Sequence, residues 1–309
     1  MGKIAFVFAG QGAQKPGMGK EIAEISKTAA EVLKRADEVR PGTVAQCFEA
    51  PQEELSMTKN TQPCVYTVDF EMAAVLAEKG IRADMVAGYS LGELAALAYS
   101  GVLTFEEGLR LVEKRGKLMQ QASEEYDTGM VAVLKLANEK VEQLCEKYDS
   151  VFPVNFNCAG QVSVAGDKKQ LQGFIADAKE AGGLVRILEV SGGFHSPFMK
   201  KAAEGFAEVL KESHIDEPVI PVYSNRTSEP YGGTEEETRQ LLVEQISNPI
   251  RWQKLIENMI DMGADTFVEV GPGTALTKMI KRISKDITML HVDDGESLAE
   301  TVERIKNNE

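Results

Sequence analysis

The sequence predicts an α/β fold in two parts: a mostly parallel sheet with helices on both faces, interrupted by a smaller inserted unit. Three observations lead there. Apolar strand-like runs alternate with amphipathic helix-like ones along most of the 309 residues, an order that lays helices over parallel strands. Residues 86–97, VAGYSLGELAAL, pass from strand to helix across Gly88, Ser90 and Gly92. This is the Gly-x-Ser-x-Gly elbow, whose glycines permit a sharp bend and expose the serine oxygen at a helix N-terminus. From residue 126 to 190 the texture changes to short strands and helices in the order βαββαβ, the split-βαβ or ferredoxin-like unit. The expected division is therefore 1–125 with 191–309 for the larger part, and 126–190 for the insertion.

Lys3 to Phe8 is a compact apolar run, read as a buried first strand, and Ala9-Gly10-Gln11-Gly12 is its tight loop. The loop is no dinucleotide fingerprint, because the third glycine is due at position 15, where Lys15 stands. Helical periodicity runs from Glu21 to Val39 and again from Thr61 to Lys79, where Pro63 suits a first turn and Gly80 a C-terminal cap. Met85 to Ala87 is the strand into the elbow. Thr104 and Glu107 form a capping box, opening a helix with Leu109, Val112, Arg115 and Met119 at three- and four-residue spacing. Arg115 thus falls on an otherwise apolar stripe.

In the insertion, strands are expected at Met130 to Leu134, Val154 to Asn157, Gln161 to Gly166 and Val185 to Glu189, with helices from Asn138 and after Asp167. A loop follows, Ser191-Gly192-Gly193-Phe194-His195-Ser196-Pro197, then a helix to about Lys211 and a strand from Ile220 to Ser224. Two helices, the strand Thr266 to Val270 with its Gly271-Pro272-Gly273 turn, and a last strand near Met289 complete the alternation.

Lys and Arg number 34 against 48 Asp and Glu, a net charge of −14, which argues against nucleic acid as a partner because phosphate neutralisation needs a basic face. Local basic clusters remain: Lys114, Arg115 and Lys117; Lys200 and Lys201; and Lys278, Lys281, Arg282 and Lys285. Most such clusters are solvated helix faces. Cysteines 47, 64, 145 and 158 form no Cys-x-x-Cys pair and have no histidine at ligand spacing, so neither metal nor redox dithiol is expected and the thiols read as reduced. No membrane association is expected either, since Met85 to Leu103 carries Glu93 and three glycines. The N-terminal apolar run is too short for a signal peptide, which points to the cytoplasm.

A serine hydroxyl is a weak nucleophile near neutrality, so a reactive Ser90 needs a base within hydrogen-bond reach. The histidines are His195, His214 and His291. His214 ends an amphipathic helix and His291 an apolar strand, where surface or core roles are the ordinary ones. His195 sits in a loop that no periodicity explains and is the candidate base. A third, acidic member is not evident between Ser90 and His195, although a main-chain carbonyl can also orient an imidazole.

At this point the motifs carry a resemblance that spans almost the whole chain. Gly-Gln-Gly-Ala-Gln at 10–14, Gly-Tyr-Ser-Leu-Gly-Glu at 88–93, Arg-Gly-Lys-Leu-Met-Gln at 115–120, Asn-Phe-Asn at 155–157, Phe-His-Ser-Pro at 194–197 and Val-Gly-Pro-Gly at 270–273 occur in order. The chain resembles the malonyl-CoA:acyl carrier protein transacylases of type II fatty acid synthesis. The resemblance implies an α/β-hydrolase-like core with a ferredoxin-like insertion, no cofactor, and usually a monomer. It implies malonyl transfer through an ester on Ser90 with His195 as base, malonyl-CoA as donor and holo-acyl carrier protein as acceptor. The oxyanion would be held by the main-chain N–H groups of Gln11 and Leu91, and the carbonyl of Gln245 would orient His195. Arg115, on residues alone a side chain reaching the surface, would hold the malonyl carboxylate through a two-pronged ion pair. Phe194, Met119 and Asn157 would line the substrate pocket. Tyr89 departs from the family, which more often has His there, and leaves the mechanism intact. Phe194 accompanies malonyl rather than methylmalonyl use in related polyketide acyltransferases. The alternatives are a trans-acting acyltransferase of a polyketide pathway, a serine hydrolase and a non-catalytic acyl-binding subunit.

Overall fold

The computed structural model describes residues 2–190 and 192–307. Ser191, the first residue of the expected histidine loop, lies outside the described residues. The strands are β1 (Lys3–Phe8), β2 (Met85–Gly88), β3 (Thr128–Leu134), β4 (Val151–Cys158), β5 (Gln161–Asp167), β6 (Leu184–Leu188), β7 (Val222–Tyr223), β8 (Ala264–Val270) and β9 (Thr288–Val292). They form two sheets. One is parallel, in the order β7-β2-β1-β8-β9, and the other is antiparallel, in the order β4-β5-β3-β6.

The first strand reads as a continuous apolar run because it lies at the centre of the parallel sheet, where helices cover both faces. Ala5 and Val7 face one buried cluster with Trp252, Ile256 and Phe267, while Phe6 and Phe8 face a larger one, the period-two alternation of a strand. In the antiparallel sheet Val131, Val133, Val162 and Val164 pack under the helices Asn138–Cys145 and Lys168–Glu180. Met130, Val154 and Ala165 turn the other way, into the main core. The antiparallel sheet is also tied by main chain to the segment before the helix Trp252–Asp261: Phe156 N–H donates to the Ile250 carbonyl at 2.9 Å, and Ile250 N–H to Val154 at 2.9 Å. This seam carries Asn155 and Asn157 to the mouth of the elbow.

Several local expectations change. The helix expected over Glu21 to Val39 is two, Lys20–Ile25 and Lys27–Val39, because Ser26 is extended and its hydroxyl accepts the Ala29 N–H, capping the second. The helix expected from Thr61 begins at Thr58, so Pro63 lies inside Thr58–Glu78 and not in its first turn. Gln120 supplies the missing start signal from a distance, its side-chain oxygen accepting the Thr58 N–H at 3.0 Å. The strand expected from Ile220 to Ser224 shrinks to Val222–Tyr223, an edge strand of the parallel sheet. The helices Thr43–Glu49, Gln52–Leu55, Ala275–Ile283 and Gly295–Asn307 were not anticipated. The capping box at Thr104 is present, and the helix it opens, Phe105–Glu125, buries Leu109, Val112, Arg115 and Met119 together.

Candidate active site

Parallel strands end on one side of the sheet, and the loops after β1 and β2 meet there. Gly88, Gly92 and Gly10 allow the contact. A Cβ on Gly92 would sit 2.4 Å from the Phe8 carbonyl oxygen, and one on Gly10 2.4 Å from that of Tyr89. The elbow therefore nests against the first loop in a way no larger residue permits. Between the glycines Ser90 adopts a left-handed backbone, φ 55°, a conformation that costs a non-glycine residue about 1–3 kcal/mol. Asn225, just after β7, clamps it: the Asn225 amide oxygen accepts the Ser90 N–H at 2.8 Å, and its amide nitrogen donates to the Gly88 carbonyl at 2.7 Å.

The Ser90 Oγ lies 2.8 Å from Nε2 of His195. Nδ1 of the same ring lies 2.8 Å from the main-chain carbonyl of Gln245, so the carbonyl takes the ring N–H and leaves Nε2 free to accept the serine proton. Burial and the nearby Arg115 cation push the His195 pKa down to about 3, with the Gln245 carbonyl opposing them. The imidazole is thus neutral at working pH, the form a general base requires. His214 pairs with Asp216 and His291 stands near Asp293, both outside this cluster.

Arg115 arrives from the helix Phe105–Glu125 and is 1% exposed. Its Nη1 donates to the Gln62 side-chain oxygen at 2.7 Å, and its Nη2 to that of Gln245 at 2.7 Å and to Ser90 Oγ at 3.2 Å. Its Nε has no partner among the described residues. Burial lowers the guanidinium pKa to about 10 against the opposing pull of Glu93, so the group stays charged near neutrality. Its contacts are amides and a hydroxyl. Among the described residues no carboxylate forms an ion pair with it.

The cavity in front of Ser90 encloses about 340 Å³ and is lined by Gln11, Leu91, Met119, Asn157, Phe194 and His195 among others. The expected pocket residues Phe194, Met119 and Asn157 are all brought to it. The main-chain N–H groups of Gln11 and Leu91 make no hydrogen bond among the described residues, whereas that of Ser90 is taken by Asn225. Unspent donors beside a nucleophile are what a developing oxyanion needs. Tyr89 holds the far wall, its hydroxyl donating to Asn157 at 2.6 Å and accepting from Asn155.

Three residues of this network escaped the sequence reading. Gln62 and Asn225 gave no signal, since each acts on a partner 53 or 135 positions away. Glu93 had one, its place directly after the elbow. Among the described residues the ring nitrogens of His195 meet Ser90 and the Gln245 carbonyl and no carboxylate.

The site sits in a chain with many relatives. The acyl transferase domain family matches residues 5–308. A malonyl CoA-acyl carrier protein transacylase of Bacillus subtilis is 36% identical over 99% of this chain and 98% of its own length. The crystal structure of a malonyl CoA-acyl carrier protein transacylase from Clostridium perfringens superposes with a TM-score of 0.94 at 38% identity, covering 99% of this chain and 98% of that one. A malonyl-transacylase in complex with its type II PKS acyl-carrier protein is similar at a TM-score of 0.94 and 35% identity, over 98% and 99% of the two chains.

Proposed function

Since the chain belongs to the acyl transferase family, among its malonyl CoA-acyl carrier protein transacylases, we propose that its buried network moves malonyl from malonyl-CoA to acyl carrier protein through an ester on Ser90. Ser90 Oγ attacks the thioester carbonyl while its proton passes to Nε2 of His195. The oxyanion rests on the N–H groups of Gln11 and Leu91. Collapse forms the malonyl ester and breaks the carbon–sulfur bond, and the departing thiolate takes the proton from His195. The carrier's phosphopantetheine thiol then gives its proton to His195, attacks the ester carbonyl and returns the serine hydroxyl.

The observation that carries the reading is Arg115: a fully buried cation without a carboxylate partner among the described residues, 3.2 Å from Ser90 Oγ. A malonyl carboxylate supplies the missing anion. An acetyl group does not, and leaving a buried charge uncompensated costs about 3–5 kcal/mol.

Approach of the acidic carrier is assigned to the helix Ala275–Ile283 and the turn after it. Lys278 and Arg282 line a groove that shares Gly12, Gln161 and Met279 with the cavity, and Lys278, Lys281 and Lys285 make no ion pair among the described residues. Lys200 and Lys201 are instead engaged by Glu204 and Glu125. A monomer working in the reducing cytoplasm completes the proposal; the four free, buried cysteines support the reducing compartment. A second reading, service to a polyketide carrier, is favoured by the similarity to the transacylase bound to a type II PKS carrier, and a panel of carriers of both kinds separates the two.

The test is intact-protein mass spectrometry after brief mixing with malonyl-CoA. A malonyl adduct on the wild type, absent in Ser90→Ala and discharged by holo-carrier, is expected. Release of free malonate without an adduct would point to a hydrolase, and neither adduct nor turnover to a binding subunit.

A further inference from the structure

Glu93 is fully buried in the first turn of the helix Gly92–Tyr99, directly after the elbow. Both of its oxygens are spoken for. Oε1 accepts the Asn225 N–H at 3.1 Å and the Tyr231 hydroxyl at 2.6 Å, and Oε2 accepts the Gln245 side-chain N–H at 2.6 Å. The same Gln245 nitrogen donates to the Ser90 carbonyl at 2.8 Å, and the opposite end of that amide is the oxygen that receives Arg115.

An amide can turn over, and each end then offers the wrong polarity. A carboxylate accepts only, so Glu93 admits only the NH₂ end of Gln245 and forces its oxygen toward Arg115. We propose that Glu93 is a positioning residue for malonyl recognition: through the orientation of the Gln245 amide it keeps the Arg115 guanidinium aimed at the acyl carboxylate. This rests on Arg115 holding that carboxylate. Replacing Glu93 by Gln keeps the shape and spoils the pattern. With the new NH₂ toward Gln245, two donors meet, and turning Gln245 over presents a donor to Arg115 and an oxygen to the Ser90 carbonyl. With it toward Asn225, a main-chain N–H that cannot turn is left facing a donor.

Protonation of Glu93 on Oε2, the oxygen that faces Gln245, imitates this substitution by setting a donor against the Gln245 NH₂. The charged or titratable groups that face it are Arg115 from the helix Phe105–Glu125 and Tyr231 from the loop after β7, with His195 beyond the Gln245 main chain. Burial raises the Glu93 pKa to about 7, against hydrogen bonds from Tyr231, Gln245 and Asn225 and the Arg115 charge. The carboxylate is therefore present above that pH and lost below it.

The experiment measures kcat/KM for malonyl-CoA and for acetyl-CoA in wild type and Glu93→Gln from pH 5.5 to 8.5, with adduct formation on Ser90 recorded in parallel. At pH 8 the variant is expected to lose about tenfold or more in malonyl-over-acetyl preference, the worth of one hydrogen bond to a charged group. The wild-type preference is expected to fall as pH drops through 7, while that of the variant stays flat. Equal loss for both donors, or no loss, overturns the proposal in favour of a merely structural Glu93. If the variant does not fold, the wild-type profile decides alone, and a preference constant from pH 8.5 to 5.5 overturns it. Wild type that forms no malonyl adduct at any pH refutes the transacylase reading itself, a result distinct from a constant preference.

Discussion

Ser90 and His195 meet across 2.8 Å with the same uncommon backbone, φ 55° and 58°. Both sit in the left-handed region that glycine tolerates and other residues pay to enter. The pairing of strain on these two residues marks a geometry held by its surroundings, with Asn225 and the Gly10 loop clamping the elbow. Ser90→Gly should accordingly lose all adduct formation while gaining about 1 kcal/mol of stability. Urea unfolding beside mass spectrometry checks both, and a variant less stable than wild type would show that the elbow is not strained.

Arg115→Ala should depress malonyl transfer and raise acetyl transfer relative to it. The expected change in preference corresponds to about 3–5 kcal/mol, the cost of an unpaired buried charge. Competition between the two donors for Ser90, read as the ratio of adduct masses, measures it directly, and an unchanged ratio would remove Arg115 from substrate recognition.

The pH dependence of acylation by acetyl-CoA, which does not call on Arg115 for a carboxylate, isolates the base. With the His195 pKa driven down to about 3 by burial and by Arg115, the imidazole is already neutral far below its ordinary range. The rate should hold level from pH 8 to 5. A decline to half near pH 6.5 would mean that the ring titrates as if exposed. His195→Ala should lower the rate by about 10²–10⁴ at every pH.

Glu71 lies buried in the helix Thr58–Glu78 with neither oxygen hydrogen-bonded among the described residues. Burial raises its pKa from 4.5 to about 9, so between these values the folded chain keeps a proton that the unfolded chain has lost. Stability must then fall as pH rises through that window, by about 3 kcal/mol at pH 7 for this group alone. Glu71→Met, which keeps the length and removes the charge, should be more stable at pH 8 and lose less between pH 5 and 9. Denaturant midpoints across that range provide the comparison, and a variant as pH-sensitive as wild type would place the effect elsewhere.

What could be read from the sequence was whatever local pattern determines. Ser90 announced itself because a bend needs glycines on both sides, and the helix bearing Arg115 because Thr104 and Glu107 cap it within one turn. His195 could be picked out because periodicity explained the surroundings of the other histidines. The start of the helix at Thr58 could not be seen, since its N–H is satisfied by Gln120, 62 positions on. Gln62 and Asn225 were silent for the same reason: they hold other groups, and those partners are set by how the sheet brings distant loops together, whereas Glu93 showed its place after the elbow but not the partners it holds. Gln245 came from resemblance alone, because the atom that serves His195 is a main-chain carbonyl, which every residue type has.

That carbonyl has a further meaning for energetics. A carboxylate behind the ring would deepen the well in which the imidazolium rests, favouring one protonated intermediate over what precedes and follows it. A neutral amide oxygen leaves the well shallow, and it can be neither titrated nor deleted by exchanging the side chain at position 245. Donor and acceptor thioesters are of similar energy, and a path without a deep intermediate well suits traffic in both directions. The fold thus keeps the partner of His195 in its backbone, where point substitution of the side chain leaves it untouched.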